Sequence, residues 1–356
     1  MQLPQDSYIP LISEIRIMWA MFKDPNTPKL FGFVPVDPEG LTWRLLCGLR
    51  DHAQAWRTLL VESRWLTAFF VLNGLCTALM IWRNLQKLKL PGIAILAIVL
   101  GALPVIYGGV FLFMSFSASV GTCEGRATPA VKRTELELLL LLLYGLDFLF
   151  LCMWATRNGY GDLGVVQALA GWSAWIAAAH TRLLGWLVPW RPPLLNFYVF
   201  FLIPFLLLVT LGNKPRALGF RLPCAKGWAL AAWGGVFAVA MLATLLRVHE
   251  QVIEASLTAL FCAALPEEFL FRAALQTRIE MLSGSPVKGF IYSALFFAGA
   301  HLGAGEQDFV WQFTNAFGMK ALLGFVFAHL YYRTRSLLPG MLLHGSFDVA
   351  FFAASK

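Results

Sequence analysis

The feature that most constrains this chain is a series of apolar runs, each about 20 residues long, the length a helix needs to cross a hydrocarbon core of roughly 30 Å. They fall near 65–82, 91–118, 138–156, 164–189, 194–212, 226–247, 255–277, 287–302, 309–332 and 336–353. Lipid offers no hydrogen-bond partner to the backbone, so a spanning segment has to satisfy its own N–H and C=O groups. Runs of this length do so as helices, and the expected class is an all-α, polytopic transmembrane bundle of about eight to ten spans. The stretch 164–189 is the doubtful one. It carries His180, Arg182 and Trp172, Trp175 and Trp186, with Trp190 following, a composition that also suits an interfacial or re-entrant helix.

Composition agrees. Of 356 residues 58% are hydrophobic and 13% charged, with mean hydropathy +0.67, values far from those of a soluble domain. The net charge of +8 sits largely in short loops, where membrane topology alone accounts for it, and no nucleic-acid partner is expected. Cys47, Cys76, Cys123, Cys152, Cys224 and Cys262 show no C-x-x-C spacing, so neither a disulfide framework nor a zinc-thiolate site is expected. Cys123 stands in a loop without an evident base and is not read as a nucleophile.

Three parts are distinguished. Residues 1–64 read as a cap or as interfacial helices, Tyr8 to Phe22 and Leu41 to Leu60 having apolar residues at helical spacing. No cleavable signal peptide is evident there. Residues 65–212 are transmembrane helices of unassigned role, and residues 213–356 hold the chemistry. Lys214, Arg216, Arg221 and Lys226 lie in one loop without an acid, and Arg333 and Arg335 in another. Both are expected on the cytoplasmic face, with Arg278 and Lys288, and the acidic loops of Glu250 and Glu306 on the other.

The run from Ala255 to Arg278 carries Glu267, Glu268 and Arg272 near its middle. A charge at the centre of a membrane helix costs roughly 2.5–3.5 kcal/mol, so three in six positions imply a use or a tight pairing. Glu268 and Arg272, four apart, share a helical face and can pair, whereas Glu267 points about 100° away. Further on, FFAGAHLG sets His301 on the face of Phe297, and LLHGSFDVAFF sets His344 and Asp348 on one face. At 1.5 Å per residue from the cytoplasmic ends, Glu267 lies about 16 Å deep, His301 about 21 Å and His344 about 12 Å, so all three can meet. Two imidazoles and two carboxylates converging there are components for activating water or binding a divalent metal such as zinc. Asn73, Asp147, Asn196 and Asn315 read as interhelical hydrogen-bonding contacts, and His329 as a partner of that kind or an interface residue.

These motifs, Glu267-Glu268-x-x-x-Arg272, Phe297-x-x-x-His301 and His344-x-x-x-Asp348 in order on successive apolar helices, resemble the CAAX protease and bacteriocin-processing family of intramembrane endopeptidases, including its Ras-converting-enzyme-like domains. The resemblance covers roughly Arg216 to Lys356. It implies peptide-bond hydrolysis in a membrane-associated protein or peptide substrate, with Glu267 as general base, His301 holding the attacking water and His344 with the residue four later stabilising the oxyanion. Glu268 with Arg272 would support them from behind. Asp348 stands where CAAX-trimming members carry Asn, and an ionised aspartate cannot donate to an oxyanion, so it is expected to orient His344 and favour its charged form, or to ligate a metal. The metal question stays open between a glutamate-driven site and a zinc site of Glu267, His301, His344 and Asp348, the first being preferred because the chain lacks H-E-x-x-H. Two other classes remain: a non-proteolytic immunity or scaffold protein, and a transporter. The expected setting is a multi-pass protein of the lipid bilayer, the inner (plasma) membrane if the source is bacterial.

Overall fold

The computed structural model describes residues 63–120, 133–145, 196–223, 226–247, 252–302 and 308–354, with isolated positions before 63 and between 164 and 182. The chain divides into Met1–Arg50 and Asp51–Lys356, and every described residue lies in the second unit. Among the described residues there is helix and no strand, the all-α bundle expected. In chain order the helices are α1 (Arg64–Gln86), α2 (Gly92–Val120), α3 (Thr134–Tyr144), α4 (Phe197–Thr210), α5 (Lys226–Arg247), α6 (252–283), α7 (Pro286–Ala300), α8 (Phe309–Thr334) and α9 (Leu337–Ala354).

Local chemistry sets the boundaries. Ser63, Ser285 and Asp308 cap α1, α7 and α8, each side chain accepting from a backbone N–H three residues on. Left-handed Gly284 closes α6 and left-handed Arg335 closes α8. Three helices among the described residues are long and apolar enough to cross a membrane, Arg64–Gln86, Gly92–Met114 and Phe309–Thr334, and Phe197–Thr210 and Ala232–Leu246 are shorter apolar ones. Val71, Leu75, Ile93, Val105, Val239 and Leu246 stand exposed along α1, α2 and α5, a surface suited to lipid rather than water.

The middle of the bundle is α6, which packs against α3, α4, α7, α8 and α9. Every residue from Phe269 to Gln276 is buried. This helix is not uniform: Ala259–Ala264 and Phe269–Gln276 are π-helical, the Leu265 N–H reaching back five residues to Leu260 O and the Thr277 N–H to Arg272 O. Between them sits Pro266, which has no N–H to give. The wide turns therefore flank the two glutamates, a position common for π turns at functional sites. Small residues bring α7 and α8 together, a Cβ on Gly324 meeting Ala294 Cα at 3.1 Å.

The segments read as cytoplasmic do gather at one face. Arg221 Nε donates to Arg335 O at 2.6 Å, Ser336 Oγ to Arg221 O at 2.5 Å, and the Leu337 N–H to Gly219 O at 3.1 Å. Arg335 pairs with Glu280 at 2.7 Å and Arg278 with Glu137 at 2.8 Å. Asn213 Nδ2 also donates to Glu137 Oε1 at 2.8 Å, so the start of α3 and the end of α4 share this face. The doubtful stretch 164–189, Asp147, Cys123 and the proposed helices of residues 1–64 lie outside the continuously described residues.

Candidate active site

Four helices deliver the site. Glu267 and Glu268 come from the α-helical turn of α6 between its two π segments, His301 from the cap of α7, and His344 and Asp348 from α9; aromatic rings of α7 and α8 wall it.

Glu268 is engaged on both oxygens. Its Oε2 lies 3.3 Å from Arg272 Nε, and its Oε1 accepts from His344 Nδ1 at 3.1 Å. Arg272, with no exposed surface, donates from Nη1 to Ser293 Oγ at 2.6 Å, and the Ser293 hydroxyl donates in turn to Phe271 O at 2.8 Å. The guanidinium lies 5.1 Å from the Phe297 ring centre and 5.8 Å from that of Phe327, so aromatic faces complete its enclosure. The ring of Phe327 stacks on His344 at 4.8 Å. Glu268, Arg272 and the two phenylalanines thus fix the His344 ring. The sequence pairs Glu268 with Arg272 correctly by spacing; that the same carboxylate also reaches His344, 76 residues away, is a property of packing.

Glu267 is engaged differently. Its Oε2 stands 3.9 Å from His301 Nε2 and 3.8 Å from His344 Nε2, beyond a direct hydrogen bond, and is buried without a hydrogen-bond partner. His301 Nδ1 lies 2.7 Å from Phe297 O. A carbonyl only accepts, so Nδ1 carries a proton, and when the ring is neutral Nε2 turns a lone pair toward Glu267. A gap of this size between two acceptors is one that a water fills by donating to both.

Asp348 Oδ2 lies 3.8 Å from His344 Nε2 and is likewise buried without a hydrogen-bond partner. The expectation that Asp348 orients His344 meets a different arrangement: Glu268 holds Nδ1, and Asp348 faces the other nitrogen across the open side of the ring. The four candidate zinc donors do come together, yet the pairs Glu267–His301, Glu267–His344 and His344–Asp348 are 3.8–3.9 Å apart. Bonds of 2.0–2.2 Å in a tetrahedral zinc site hold donors about 3.4 Å apart. No group of three or more His, Cys, Asp or Glu among the described residues is arranged to hold a metal.

One set of residues escaped the sequence reading. Glu137, Asn213 and Arg278 form a buried cluster, Arg278 donating to Glu137 from both Nε and Nη2 at 2.9 and 2.8 Å; no spacing rule announces a pair 141 residues apart. Asn73 fulfils its expected role, donating to Phe317 O and Gly318 O at 2.6 Å each and accepting from the Tyr107 hydroxyl.

Residues 249–350 match the family model described as type II CAAX prenyl endopeptidase Rce1-like. This stretch is thus similar to the Rce1-like domain of a peptidase family, and it holds every side chain of the site just described. No curated protein and no solved structure matches the chain.

Proposed function

Because residues 249–350 are similar to an Rce1-like domain, we propose that the chain is an intramembrane endopeptidase that hydrolyses a peptide bond near the end of a membrane-associated, prenylated CAAX-type substrate. The observation that carries the mechanism is the contrast between the glutamates: Glu268 is saturated by Arg272 and His344, while Glu267 Oε2 is buried, without a hydrogen-bond partner and flanked by two imidazole Nε2 atoms.

In this reading a water between Glu267 and His301 donates one proton to each acceptor, which aims an oxygen lone pair at the scissile carbonyl. Glu267 takes the proton as the C–O bond forms, and the carbonyl oxygen becomes the oxyanion. His344 donates to it from Nε2, its ring held by Glu268 through Nδ1. When the C–N bond breaks, Glu267 returns the proton to the leaving amine. This reading routes no step through a metal.

The test uses the full chain in proteoliposomes and a farnesylated peptide ending in a C-A-A-X sequence, with release of the terminal tripeptide followed by mass spectrometry. Glu267→Gln is expected to fold like the wild type and to lose at least about 10²-fold in turnover, the low end for a lost general base. Equal turnover in the two proteins sinks the assignment of the base, and no release by the wild type sinks the reading as a CAAX-type endopeptidase.

A further inference from the structure

The connection between the apolar helices α4 and α5 carries Lys214, Arg216, Arg221 and Lys226 and no acid from residue 213 to residue 226. Membrane topology accounts for the sign of such a loop but not for its form. Pro215–Leu218 is a 3₁₀ turn ended by Gly219 at φ +84°, and a Cβ on Gly219 would meet Leu337 Cγ at 2.9 Å. The backbone therefore lies directly on the corner between α8 and α9. Arg221 Nε bonded to Arg335 O, Ser336 Oγ bonded to Arg221 O and the Leu337 N–H bonded to Gly219 O fasten it there.

What this seat leaves outside has a particular composition. Lys214 and Arg216 are exposed, and so are Leu222 at 60% and Phe220 at 38%. The covered part of the Phe220 ring packs on Phe201, Phe205 and Phe269, with ring centres 5.6 to 5.9 Å apart. Buried cations nearby have acids from within the bundle, Arg278 with Glu137 and Arg335 with Glu280. Among the described residues no acid lies within 4 Å of Lys214 or Arg216. Exposed cations beside exposed apolar side chains, on a fastened turn between two apolar helices, match the surface of an anionic lipid layer: phosphate against the cations, acyl carbons against Phe220 and Leu222. An acidic peptide would answer the charge and leave both apolar side chains in water.

We propose that residues 214–222 form a binding site for anionic phospholipid headgroups, Lys214 and Arg216 holding the phosphate-bearing group while Phe220 and Leu222 sit among the first acyl carbons. The site does not rest on the endopeptidase reading. The same backbone grips the corner that opens α9, the helix of His344 and Asp348, and a headgroup bound to the folded chain alone stabilises it.

The experiment titrates the full chain, purified in a neutral detergent, with short-chain phosphatidylglycerol, phosphatidylcholine of the same chain length and inorganic phosphate, and follows binding by thermophoresis and stability by thermal unfolding. Phosphatidylglycerol is expected to bind saturably and raise Tm, the other two to do neither at the same concentration, and molar salt to weaken the binding. Lys214→Gln with Arg216→Gln is expected to weaken it by about 30-fold, the scale for two cations at an anionic surface. Lys87→Gln with Lys89→Gln removes the same charge from exposed positions after α1 and should leave it unchanged. If the first pair fails to assemble by gel filtration, Lys214→Gln alone is read, with about a fivefold loss expected. Equal affinity for the two lipids, or an equal loss in the Lys87 and Lys89 variant, overturns the proposal. So does free phosphate matching phosphatidylglycerol, or a poly-glutamate peptide that binds where phosphatidylglycerol does not.

Discussion

Gly340 has no part in the chemistry, yet the structure predicts that Gly340→Ala impairs it. The added Cβ would lie 2.9 Å from Glu268 Oε2, where an unstrained carbon–oxygen contact is about 3.3 Å. The carboxylate has to retreat by about 0.4 Å, and it is pinned from the other side by Arg272 and His344. Overpacking of this kind costs about 1–3 kcal/mol. Since a 1 Å misplacement costs about 10²-fold in rate, 0.4 Å passed on to His344 scales to about sixfold in kcat. Gly345→Ala serves as control. Its Cβ also approaches to 2.9 Å, but toward Leu260 Cδ2, the flexible end of an apolar side chain away from the catalytic groups. Thermal unfolding in detergent and single-turnover cleavage of the farnesylated peptide report the two effects separately. The expected pattern is lowered stability with slowed chemistry for Gly340→Ala, and stability alone affected for Gly345→Ala. If both leave kcat at the wild-type value, Glu268 does not position His344 in the way described.

Arg272→Met removes the buried cation beside Glu268, leaving His344 as its remaining partner, and is expected to destabilise by about 3–5 kcal/mol, read as a loss of folded protein on gel filtration, with slowed turnover in what remains. Glu137→Ala strips Arg278 of its buried partner at similar cost, but far from the reaction, so turnover per folded molecule should stay at the wild-type level. Chelation by 1,10-phenanthroline is expected to leave activity unchanged, and Asp348→Asn to keep much of it; zinc bound in stoichiometric amount and lost together with activity in Asp348→Asn would contradict the metal-free route. At the opposite face, hydrogen bonds from Arg83 at 2.8 and 2.9 Å hold the exposed Asp308 carboxyl below its ordinary value. A depressed carboxyl stabilises the fold above its unfolded value and loses that contribution as pH falls through the folded one. Arg83→Gln should therefore bring the acid-side loss of thermal stability to a higher pH, which unfolding scans between pH 3 and 6 would detect as a small shift.

The class of molecule was legible because it depends on length and hydropathy alone: a run of 20 apolar residues has few ways to satisfy its backbone in lipid. The acidic, histidine and aspartate motifs were legible because each lies within one helix, where i and i+4 share a face whatever surrounds them. Depth counting could place Glu267, His301 and His344 at compatible levels, since rise per residue is a local constant. Which groups touch across helices is set by rotation about each axis and by crossing geometry, and neither is written in a single segment. The two π turns of α6 show why: each adds a residue to a turn, so the face carried past Glu267 and Glu268 is not the one that 100° steps predict. Tertiary packing alone decided that Glu268, rather than Asp348, grips His344 and that Glu137 neutralises Arg278 from the other half of the described chain. In a low-dielectric interior each buried charge must find a partner or a use, and the sequence names the charges while only the assembled bundle assigns the partners.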